Sequence, residues 1–576
     1  MKRIITALAA SALVALTLSA CSPSGSLVAG SSITVAELAG LDSFNADVPS
    51  TTGAQQSNTD LANLIRPSFF SLDATGKEVA NTSFGSVKVT SNAPFTVVYK
   101  LTGAAKWSDG QQVTADDLLL SWLAARDPLK AGFTSNAAST GLKYTTAVPV
   151  ESADHLSLTI TFDHGVADWQ TALQINAPAH MVAERAFQIT DATAAITRFR
   201  AAVYGQILED QTALATHYVN AFAFSRLNIA NPALKVSAGA YNIESFTLDS
   251  AIVLKANPSF NWGNTPRIEK VTIRFYTDSA SMVAAMQNKS VDIAALQESG
   301  LATLSSLVAE AKANGASYKL TASNDVEAVL LNHGTQSVFA NGTDTAKATA
   351  LRSAILNLIP RVKIQAGMIA DSPVIDARSW IYSSASSYYQ PFVQANGSQA
   401  FTIQNAELAA EQLAKVSIAK PVAVRVLFDA NNPRAKQVFE LLGQYASNVG
   451  FNLIDASSKT PAVDRVLGAY DLYITEVPLG GEDGGNPYWF AGNSLNNFSD
   501  AKLDELLVSY GSKTKQIDRI SALKDLDTEL YSAGFGLPLY QVPSLLVYSK
   551  KISALVPAPY GGSATYGYWN WQLAGN

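Results

Sequence analysis

Cysteine is almost absent from this sequence, with one residue among 576. An intramolecular disulfide framework is therefore excluded. Histidine is also scarce, and none of the five histidines stands in a His-Glu-x-x-His or similar metal-binding spacing. Charged residues make up 15% of the chain and the net charge is −6, without a basic stripe. Nucleic acid is therefore not an expected partner.

Sequence signatures of catalysis are missing as well. There is no Walker A loop, so any ATPase that works with this protein is expected on a separate polypeptide. There is no Gly-x-Ser-x-Gly elbow and no candidate catalytic cysteine. We expect that the protein is not an enzyme, and we predict no catalytic residue, no metal site and no cofactor.

The first 21 residues have the organisation of a secretory signal. Lys2 and Arg3 precede an apolar stretch, residues 4–18, and small residues lead to the single cysteine, Cys21. The sequence Leu-Ser-Ala-Cys at 18–21 resembles the lipobox of bacterial lipoproteins, which implies cleavage and lipidation at Cys21. Two acyl chains would anchor the protein stably, at ~0.8 kcal/mol per buried methylene. Residues 22–32 are expected to form a flexible tether.

The rest of the chain has the composition of a large globular protein. Hydrophobic residues make up 48% of it, and 576 residues are too many for one core. Alternating apolar residues predict strands at 95–101 and 156–162. A strand at 422–428, an amphipathic helix at 433–449 ended by Gly450, and a strand at 451–454 predict a parallel α/β unit.

The most informative stretch of the chain is KWSDGQQVTADDLLLSW at 106–122. Asp-Gly indicates a turn. Thr114 and Asp117 have capping-box spacing just before an apolar run. The stretch also resembles the signature of the extracytoplasmic solute-binding proteins of ABC importers, in the dipeptide/oligopeptide-binding family. We expect its two tryptophans to be structural.

Later blocks resemble the same family in the same order. They include SAGAYNI at 237–243, LKANPSFNWG at 254–263, SVDIA at 290–294 and PLYQ at 538–541. Three departures stand out: Ala240 replaces the usual Pro, Lys289-Ser290 replaces Gly-Glu, and an acidic residue is missing before Arg361. The resemblance covers about residues 33–576.

The resemblance implies an α/β, two-lobed periplasmic-binding-protein-like fold of type II, in the large peptide-binding subgroup with an extra α+β subdomain. Two crossings, near residues 322 and 535, are expected to join the lobes. The predicted parts are a signal peptide at 1–21, a tether at 22–32, lobe I at 33–72, 225–322 and 536–576, its subdomain at 73–224, and lobe II at 323–535.

The best candidate for a binding site is the glycine-rich loop GGEDGGNPYWF at 480–490. Glycines allow the backbone to approach a ligand closely. In the family an Asp at about this place holds the α-amino group of a peptide; Asp483 matches best and Glu482 competes with it. The alternative is that both acids only make the turn soluble. Asn486, Tyr488 and Trp489 complete the predicted site. The alternative for the two aromatic residues is that they only anchor the loop by hydrophobic packing.

A second aromatic segment is a weaker candidate. Trp380 and Tyr382, with Tyr388 and Tyr389 downstream, stand among small residues and could line the cleft. The alternative is that they belong to the core or its rim.

The resemblance implies a membrane-anchored substrate-binding protein of an ABC importer, which captures short peptides between the lobes and delivers them to permease subunits. It is expected to be a monomer on the extracytoplasmic side, held by lipid on Cys21. Two alternatives stay open: a binder of another solute, such as an oligosaccharide or opine, and a structural or regulatory lipoprotein that retains the fold without transport.

Overall fold

The computed structural model describes residues 26–224, 235–297, 301–340, 342, 344–366, 376–480, 494–559 and 561–575. Within these ranges, no helix has both the length and the apolar character needed to cross a membrane.

The first half of the chain forms the first lobe and a subdomain. Its elements are β1 (Val28–Leu38), α1 (Gln55–Ile65), β2 (Phe70–Leu72), β3 (Glu78–Ala80), β4 (Gly85–Asn92), β5 (Phe95–Leu101), α2 (Ala115–Arg126), β6 (Val150–Glu151), β7 (Ser157–Phe162), α3 (Ala179–Phe187), α4 (Ala192–Tyr204), α5 (Leu208–Asn220), β8 (Tyr241–Thr247), β9 (Ala251–Ala256), β10 (Ile268–Tyr276), α6 (Ser279–Gln287), β11 (Ile293–Gln297) and α7 (Leu301–Ala313).

The second half leads into the second lobe and back. Its elements are β12 (Ser317–Leu331), α8 (Thr345–Leu356), α9 (Arg361–Ala366), α10 (Tyr389–Val393), α11 (Ala406–Ala414), β13 (Val422–Leu427), α12 (Pro433–Ala446), β14 (Phe451–Asp455), α13 (Pro461–Leu467), β15 (Leu472–Pro478), α14 (Ala501–Gly511), α15 (Gln516–Ser532), β16 (Gly536–Tyr548), β17 (Ile552–Ala554) and β18 (Gln572–Leu573).

Ten of the described strands form one sheet that continues through both lobes, in the order β14-β13-β15-β12-β16-β11-β1-β10-β9-β8. The long strands β12 and β16 lie side by side and antiparallel in the middle of it. Buried apolar side chains form separate clusters on the two halves of the sheet. The two-lobed α/β fold predicted from the sequence is thus confirmed.

The lobes are joined where the pairing of β12 with β16 loses its register, between Ala322 and Val326. On β16, Leu539 and Tyr540 belong to the core of the second lobe and Leu545 to a core of the first. The predicted crossing near 535 is therefore placed too early. The reason is that β16 first pairs with the second-lobe half of β12 and only then passes into the first lobe.

The first lobe also begins earlier than expected. Strand β1 starts at Val28, whose N–H donates to Arg267 O at 3.0 Å, and Ser32 pairs with Lys270 of β10. The prediction of a flexible tether up to residue 32 is therefore wrong for residues 28–32. These residues are small, apart from Val28, and the pairing of β1 with β10 orders them despite their weak strand pattern.

The α/β unit predicted in the second lobe is confirmed, since β13 and β14 pair in parallel on either side of α12 in the chain. Asn432 caps α12 by accepting from the N–H groups of Arg434 and Ala435. The helix ends at Ala446, three residues before the predicted end. Gly450 lies beyond it with φ of +111° and accepts from Val422 N at 2.8 Å, which leads the chain into β14.

The subdomain contains a second sheet, in the order β4-β5-β7-β6. Alternate residues of β7 are buried, as its predicted strand pattern requires. Val97 and Ile160 of this sheet belong to the same apolar cluster as Val35 and Ile273 of the first lobe. The subdomain therefore shares a core with the first lobe, and its exact bounds stay a prediction.

Candidate functional site

A cavity of about 340 Å³ lies where the two lobes meet. The first lobe and its subdomain contribute the aromatic rings of Phe70 and Trp169, and the second lobe contributes those of Tyr382 and Tyr388. The volume is in the lower range for sites that hold small molecules. Because both lobes line it, a molecule bound there would stabilise their contact.

Two aromatic residues predicted from the sequence lie at different places in the second lobe. Tyr382 lines the cavity, with its ring edge-on to Phe392 at 4.6 Å between centroids. Trp380 is only 1% exposed and contacts Phe535 edge-on at 5.1 Å. Its indole nitrogen has no hydrogen-bond partner among the described residues. A direct ligand contact stays a prediction for both residues, and the position of Tyr382 suits it better.

A buried carboxylate holds the segment that carries Tyr382. Asp527 of α15 is fully buried, and its Oδ1 accepts from Trp380 N at 2.9 Å. Its Oδ2 accepts from Ser379 Oγ and from Asn396 Nδ2, both at 2.8 Å. Ser379 Oγ in turn accepts from Tyr382 N at 3.1 Å. Burial raises the pKa of Asp527 to about 6, although these hydrogen bonds favour the charged form.

Gln541 connects the same segment to the crossing between the lobes. Its side-chain oxygen accepts from Ser384 N at 3.0 Å, and its Nε2 donates to Ser383 Oγ at 2.6 Å and to Ser323 O. Gln541 is the last residue of the PLYQ block and is 1% exposed. Its amide therefore links β12, β16 and the wall of the cavity.

The opposite wall touches the second lobe through Trp169. Its Nε1 donates to Thr514 O at 3.1 Å, and Ala167 N donates to Gly511 O at 2.9 Å. Gly165 allows this approach, because a Cβ there would lie 2.6 Å from Thr514 Cγ2 and 3.1 Å from Ser512 O. The lobes thus contact each other both along the sheet and at the cavity.

Among the described residues, three charged ones line the cavity: Lys77 and Glu78 from the first lobe and Arg519 from the second. Arg519 Nη1 donates to Thr514 O at 3.1 Å. Behind it, burial raises the pKa of Asp168, an effect that hydrogen bonds and the charges of Lys143 and Arg519 partly offset. In the part of the chain that the structure describes, no three His, Cys, Asp or Glu side chains form a group suited to a metal ion.

The sequence model described as "Bacterial extracellular solute-binding proteins, family 5 Middle" matches residues 86–499. The chain belongs to this family. Family 5 proteins are solute-binding proteins of ABC importers and not enzymes, and the predicted family membership is confirmed.

Curated relatives of this family 5 protein occur in mycobacteria. An uncharacterized lipoprotein of Mycobacterium tuberculosis strain H37Rv is 24% identical over 528 residues, covering 87% of this chain and 86% of the relative. The oligopeptide-binding protein OppA of the same strain is 25% identical over 323 residues, covering 54% of this chain and 46% of the relative.

Solved structures share the family 5 fold over nearly the whole chain. A periplasmic EDTA-binding protein, EppA, aligns with a TM-score of 0.76 at 20% identity, covering 96% of this chain and 98% of that one. The oligopeptide-binding protein AppA of Bacillus subtilis, solved with a nonapeptide, aligns with a TM-score of 0.62 at 14% identity, covering 94% and 99%. NikZ of Campylobacter jejuni, solved with Ni(L-His), also gives 0.62, at 15% identity and with coverage of 94% and 99%.

The family 5 signature at 106–122 is structural here. Thr114 is the N-cap of α2 and Asp117 is its third residue. Asp117 Oδ2 accepts from Thr114 N at 2.9 Å, which confirms the predicted capping box. Its Oδ1 accepts from Ala179 N at 2.8 Å, and Trp107 Nε1 donates to Oδ2 at 3.3 Å. Both tryptophans of the stretch are 2% exposed, and neither lines the cavity.

The residues predicted to bind ligand in the glycine-rich loop lie outside the described residues, namely Glu482, Asp483, Asn486, Tyr488 and Trp489, and so does Cys21. The approach to the loop is described. Leu479 N donates to Asn324 O at 2.8 Å, and Gly480 N donates to Trp380 O at 3.1 Å. The loop therefore begins beside the crossing and beside the segment that carries Tyr382.

Several residues that line the cavity or support its wall could not be predicted from the sequence. Trp169, Lys77 and Arg519 lie in weakly patterned parts of the chain, where nothing in the local sequence indicates a site. The local sequence does not distinguish Asp527 from any other aspartate in a helix. Gln541 does have a sequence signal, because it ends the PLYQ block.

Proposed function

We propose that this family 5 protein captures short peptides between its lobes and delivers them to the permease of an ABC importer. One observation supports the proposal above the others: a cavity with aromatic walls is lined by both lobes of a chain that belongs to this family. Binding there would couple recognition to closure of the lobes, and the closed form would dock on the permease.

In this proposal Asp483 pairs with the α-amino group of the peptide, with Glu482 as the competing carboxylate. Asn486, Tyr488 and Trp489 would contact the adjacent peptide residues, and Tyr382 would contact a side chain from the second lobe. The loop begins beside the segment of Tyr382, which supports grouping these residues into one site.

Isothermal titration with pools of di- to pentapeptides tests the proposal, since no heat with any pool would count against peptides. Asp483→Asn should weaken the binding of free-amine peptides by roughly 10–100-fold, because a hydrogen bond to a charged group contributes ~1.5–3 kcal/mol. N-acetylated peptides should bind this variant and the wild type equally. Glu482→Gln is the matched variant, and an equal loss in both variants would contradict the choice of Asp483.

A second candidate is a binder of another small solute on the same scaffold. It is favoured by the range of ligands among the structural neighbours, which are an EDTA-binding protein, a protein solved with Ni(L-His) and one solved with a nonapeptide. Mass spectrometry of ligand released from protein purified from its native host distinguishes the two candidates.

We further propose that lipid on Cys21 anchors the protein to the extracytoplasmic side of the membrane, where it acts as a monomer. The names of the mycobacterial lipoproteins support this location. Cys21→Ser should move the protein from the detergent phase to the aqueous phase in a Triton X-114 partition. Retention in the detergent phase would contradict lipidation at this residue.

A further inference from the structure

The crossing between the lobes contains a bulge in β12. This strand pairs with β16 at Ala322 and again at Val326. The residues between these pairs, 323–325, lie opposite a single residue of β16, Val542. Extra residues of this kind bend a strand and leave some of its backbone groups without ladder partners. Residues 323–325 are therefore the part of β12 that can absorb a change in the angle between the lobes.

Two carbonyl groups of the bulge are bonded from outside β12. Gln541 Nε2 donates to Ser323 O, and Leu479 N donates to Asn324 O at 2.8 Å. Within the bulge, Asp325 N donates to Ser323 Oγ at 3.0 Å. The bulge is therefore held in one conformation by β16 and by the residue that precedes the glycine-rich loop.

Gln541 also holds the wall of the cavity just beyond Tyr382. Its Oε1 accepts from Ser384 N at 3.0 Å and from Ser384 Oγ at 2.9 Å, and its Nε2 donates to Ser383 Oγ at 2.6 Å. Both hydrogens of the amide and its oxygen are thus in use. One buried side chain joins the bulge to the wall.

The first lobe packs against the same bulge through Gly561. This glycine has φ of +70°, and a Cβ there would lie 2.7 Å from Ser544 Cβ and 3.2 Å from Ser323 Cα. Gly562 N donates to Ser544 Oγ at 3.3 Å. Glycine leaves room for this close approach, so the bulge is confined from both lobes.

The bond from Gln541 to Ser323 O depends on the angle between the lobes. Gln541 pairs with Val326 in the second-lobe half of the sheet, whereas Ser323 lies in the bulge. A rotation in the bulge would move the Ser323 carbonyl away from the amide. In the described structure the lobes touch, since Ala167 N donates to Gly511 O at 2.9 Å. The bond therefore belongs to the arrangement in which the lobes are closed.

We propose that Gln541 is a positioning residue that couples contact of a solute with the cavity wall to closure of the lobes. A solute that contacts Tyr382 restrains the segment of Ser383 and Ser384. This segment orients the amide of Gln541 toward Ser323 O, and the lobes close fully when that bond forms. The proposal rests on the proposed function for the presence of a solute, whereas the effect of the bond on the lobes needs none.

The first test uses the ligand-free full chain. Gln541→Glu keeps an acceptor for Ser384 but places an oxygen against Ser323 O at pH 8, so the bond to the bulge is lost while the wall remains held. Hydrogen exchange with mass spectrometry then measures the peptide that contains Ala167, whose amide is bonded across the lobes. We expect this amide to exchange about tenfold faster than in the wild type, as for the loss of one buried hydrogen bond.

Gln211→Glu is the matched control. Gln211 is fully buried on α5, and its Nε2 donates to Ala202 O at 3.0 Å, so this change also places a carboxylate beside a carbonyl. Exchange at Ala167 should stay within about twofold of the wild type, because the site is independent of the crossing. Equal exchange in the wild type and Gln541→Glu, or faster exchange in both glutamine variants, would overturn the coupling.

Acid separates the coupling from general loosening. Burial keeps the carboxyl group introduced by Gln541→Glu neutral at pH 5, and its O–H can then donate to Ser323 O as the amide does. The exchange rate at Ala167 relative to the wild type should therefore fall from about tenfold at pH 8 to about onefold at pH 5. Gln541→Met has no donor at either pH and should remain fast at both. An unchanged ratio for Gln541→Glu would overturn the role of the bond.

Gly561→Ala tests the bulge from the other lobe and serves if the Gln541 variants do not fold. Its Cβ should displace Ser323 and speed exchange at Ala167 by about fivefold or more. Gly468→Ala is the matched control, since Gly468 has φ of +72° and no atom within 4 Å of the added Cβ. Unchanged exchange in Gly561→Ala, or an equal change in the two glycine variants, would show that the bulge does not set the angle between the lobes.

Isothermal titration with pools of di- to pentapeptides gives the second measurement. Gln541→Glu should bind the pools about tenfold more weakly than the wild type at pH 8 and regain the wild-type affinity at pH 5. If no pool binds the wild type, the proposal of peptides fails, and the exchange measurement still decides the coupling. If the pools bind both proteins equally at pH 8, the coupling is wrong and peptide binding stands.

Discussion

Asp117 in the subdomain and Asp527 in the second lobe have nearly the same local chemistry. Each is a buried aspartate that accepts three hydrogen bonds from uncharged donors. Burial raises the pKa of each from an ordinary value of 3.8 to about 6. They differ in what they hold: Asp117 holds the start of a scaffold helix, whereas Asp527 holds the segment that carries Tyr382 to the cavity.

Their partners also differ in distance along the chain. Two partners of Asp117 lie 3 and 10 residues away, in the same motif. The partners of Asp527 lie 131 to 148 residues away. Asp117 therefore belongs to a motif that can be recognised in the sequence, whereas Asp527, with similar contacts, belongs to no local motif. Whether such contacts can be predicted from the sequence depends on how far apart the residues lie along the chain, and says little about the energy of the contacts.

The largest effect is expected from Asp117→Ala. It removes the capping box and leaves the N–H groups of Thr114 and Ala179 and the indole of Trp107 without this acceptor. We expect the free energy of unfolding in urea to fall by about 4 kcal/mol. Asp518→Ala, at an exposed first-turn position of α15, should change it by less than about 0.5 kcal/mol. A loss no larger than in this control would show that the motif is not a structural centre.

Asp527→Ala should lower both stability and solute affinity, whereas Asp117→Ala should lower stability alone. We expect a loss of about 3 kcal/mol in the free energy of unfolding, together with a loss of about tenfold in solute affinity because Tyr382 is no longer held. Folded Asp117→Ala should keep its affinity within about twofold. Asp525→Ala, exposed on the same helix, is the control for both measurements. Unchanged affinity in Asp527→Ala would break the proposed link to the cavity.

The raised pKa values predict how stability depends on pH. The folded protein keeps protons on Asp117 and Asp527 up to about pH 6, whereas the unfolded chain releases them near pH 3.8. Their stabilising effect is therefore complete below pH 3.8 and is lost as the pH rises through 6, by on the order of 3 kcal/mol for each group.

Urea denaturation at pH 4, 5, 6 and 7 measures this slope. Asp527→Asn and Asp117→Asn should each remove one group's share of it, since asparagine does not titrate. A variant that retained the whole slope would show that its aspartate is ionised throughout the window.

The smallest effect is expected near the scaffold motif. His180 Nε2 lies 2.8 Å from Asp109 Oδ2. Burial lowers the pKa of His180, but the hydrogen bond to Asp109 and nearby carboxylates outweigh it, and the pKa is raised above 6.5. This stabilisation is present below pH 6.5 and is lost as the pH rises through the raised pKa. His180→Gln should cost about 0.5–1 kcal/mol at pH 6 and little at pH 9.

His217→Gln is the matched control, because burial and the charge of Arg185 lower the pKa of His217. Its contribution has the opposite sign and is lost as the pH falls below 6.5. Equal pH profiles for the two variants would contradict the pairing of His180 with Asp109.

Predictions from the sequence succeeded where periodicity and local spacing carry the information. The capping box of Thr114 and Asp117, the strands of the subdomain and the unit of β13, α12 and β14 are of this kind. They failed at boundaries that depend on a partner strand. The start of β1 at Val28 depends on β10, and the crossing after Tyr540 depends on the register of β12.

The sequence by itself determined the family, the two-lobed fold and the structural role of the stretch at 106–122, because those features rest on residues close together in the chain. The tertiary structure decided which residues share the cavity. Trp169 and Thr514 are 345 residues apart, and Trp380 and Asp527 are 147 apart, yet each pair is joined by a hydrogen bond. Contacts of this kind form only when the chain has folded and brought distant segments together, and no local pattern encodes them.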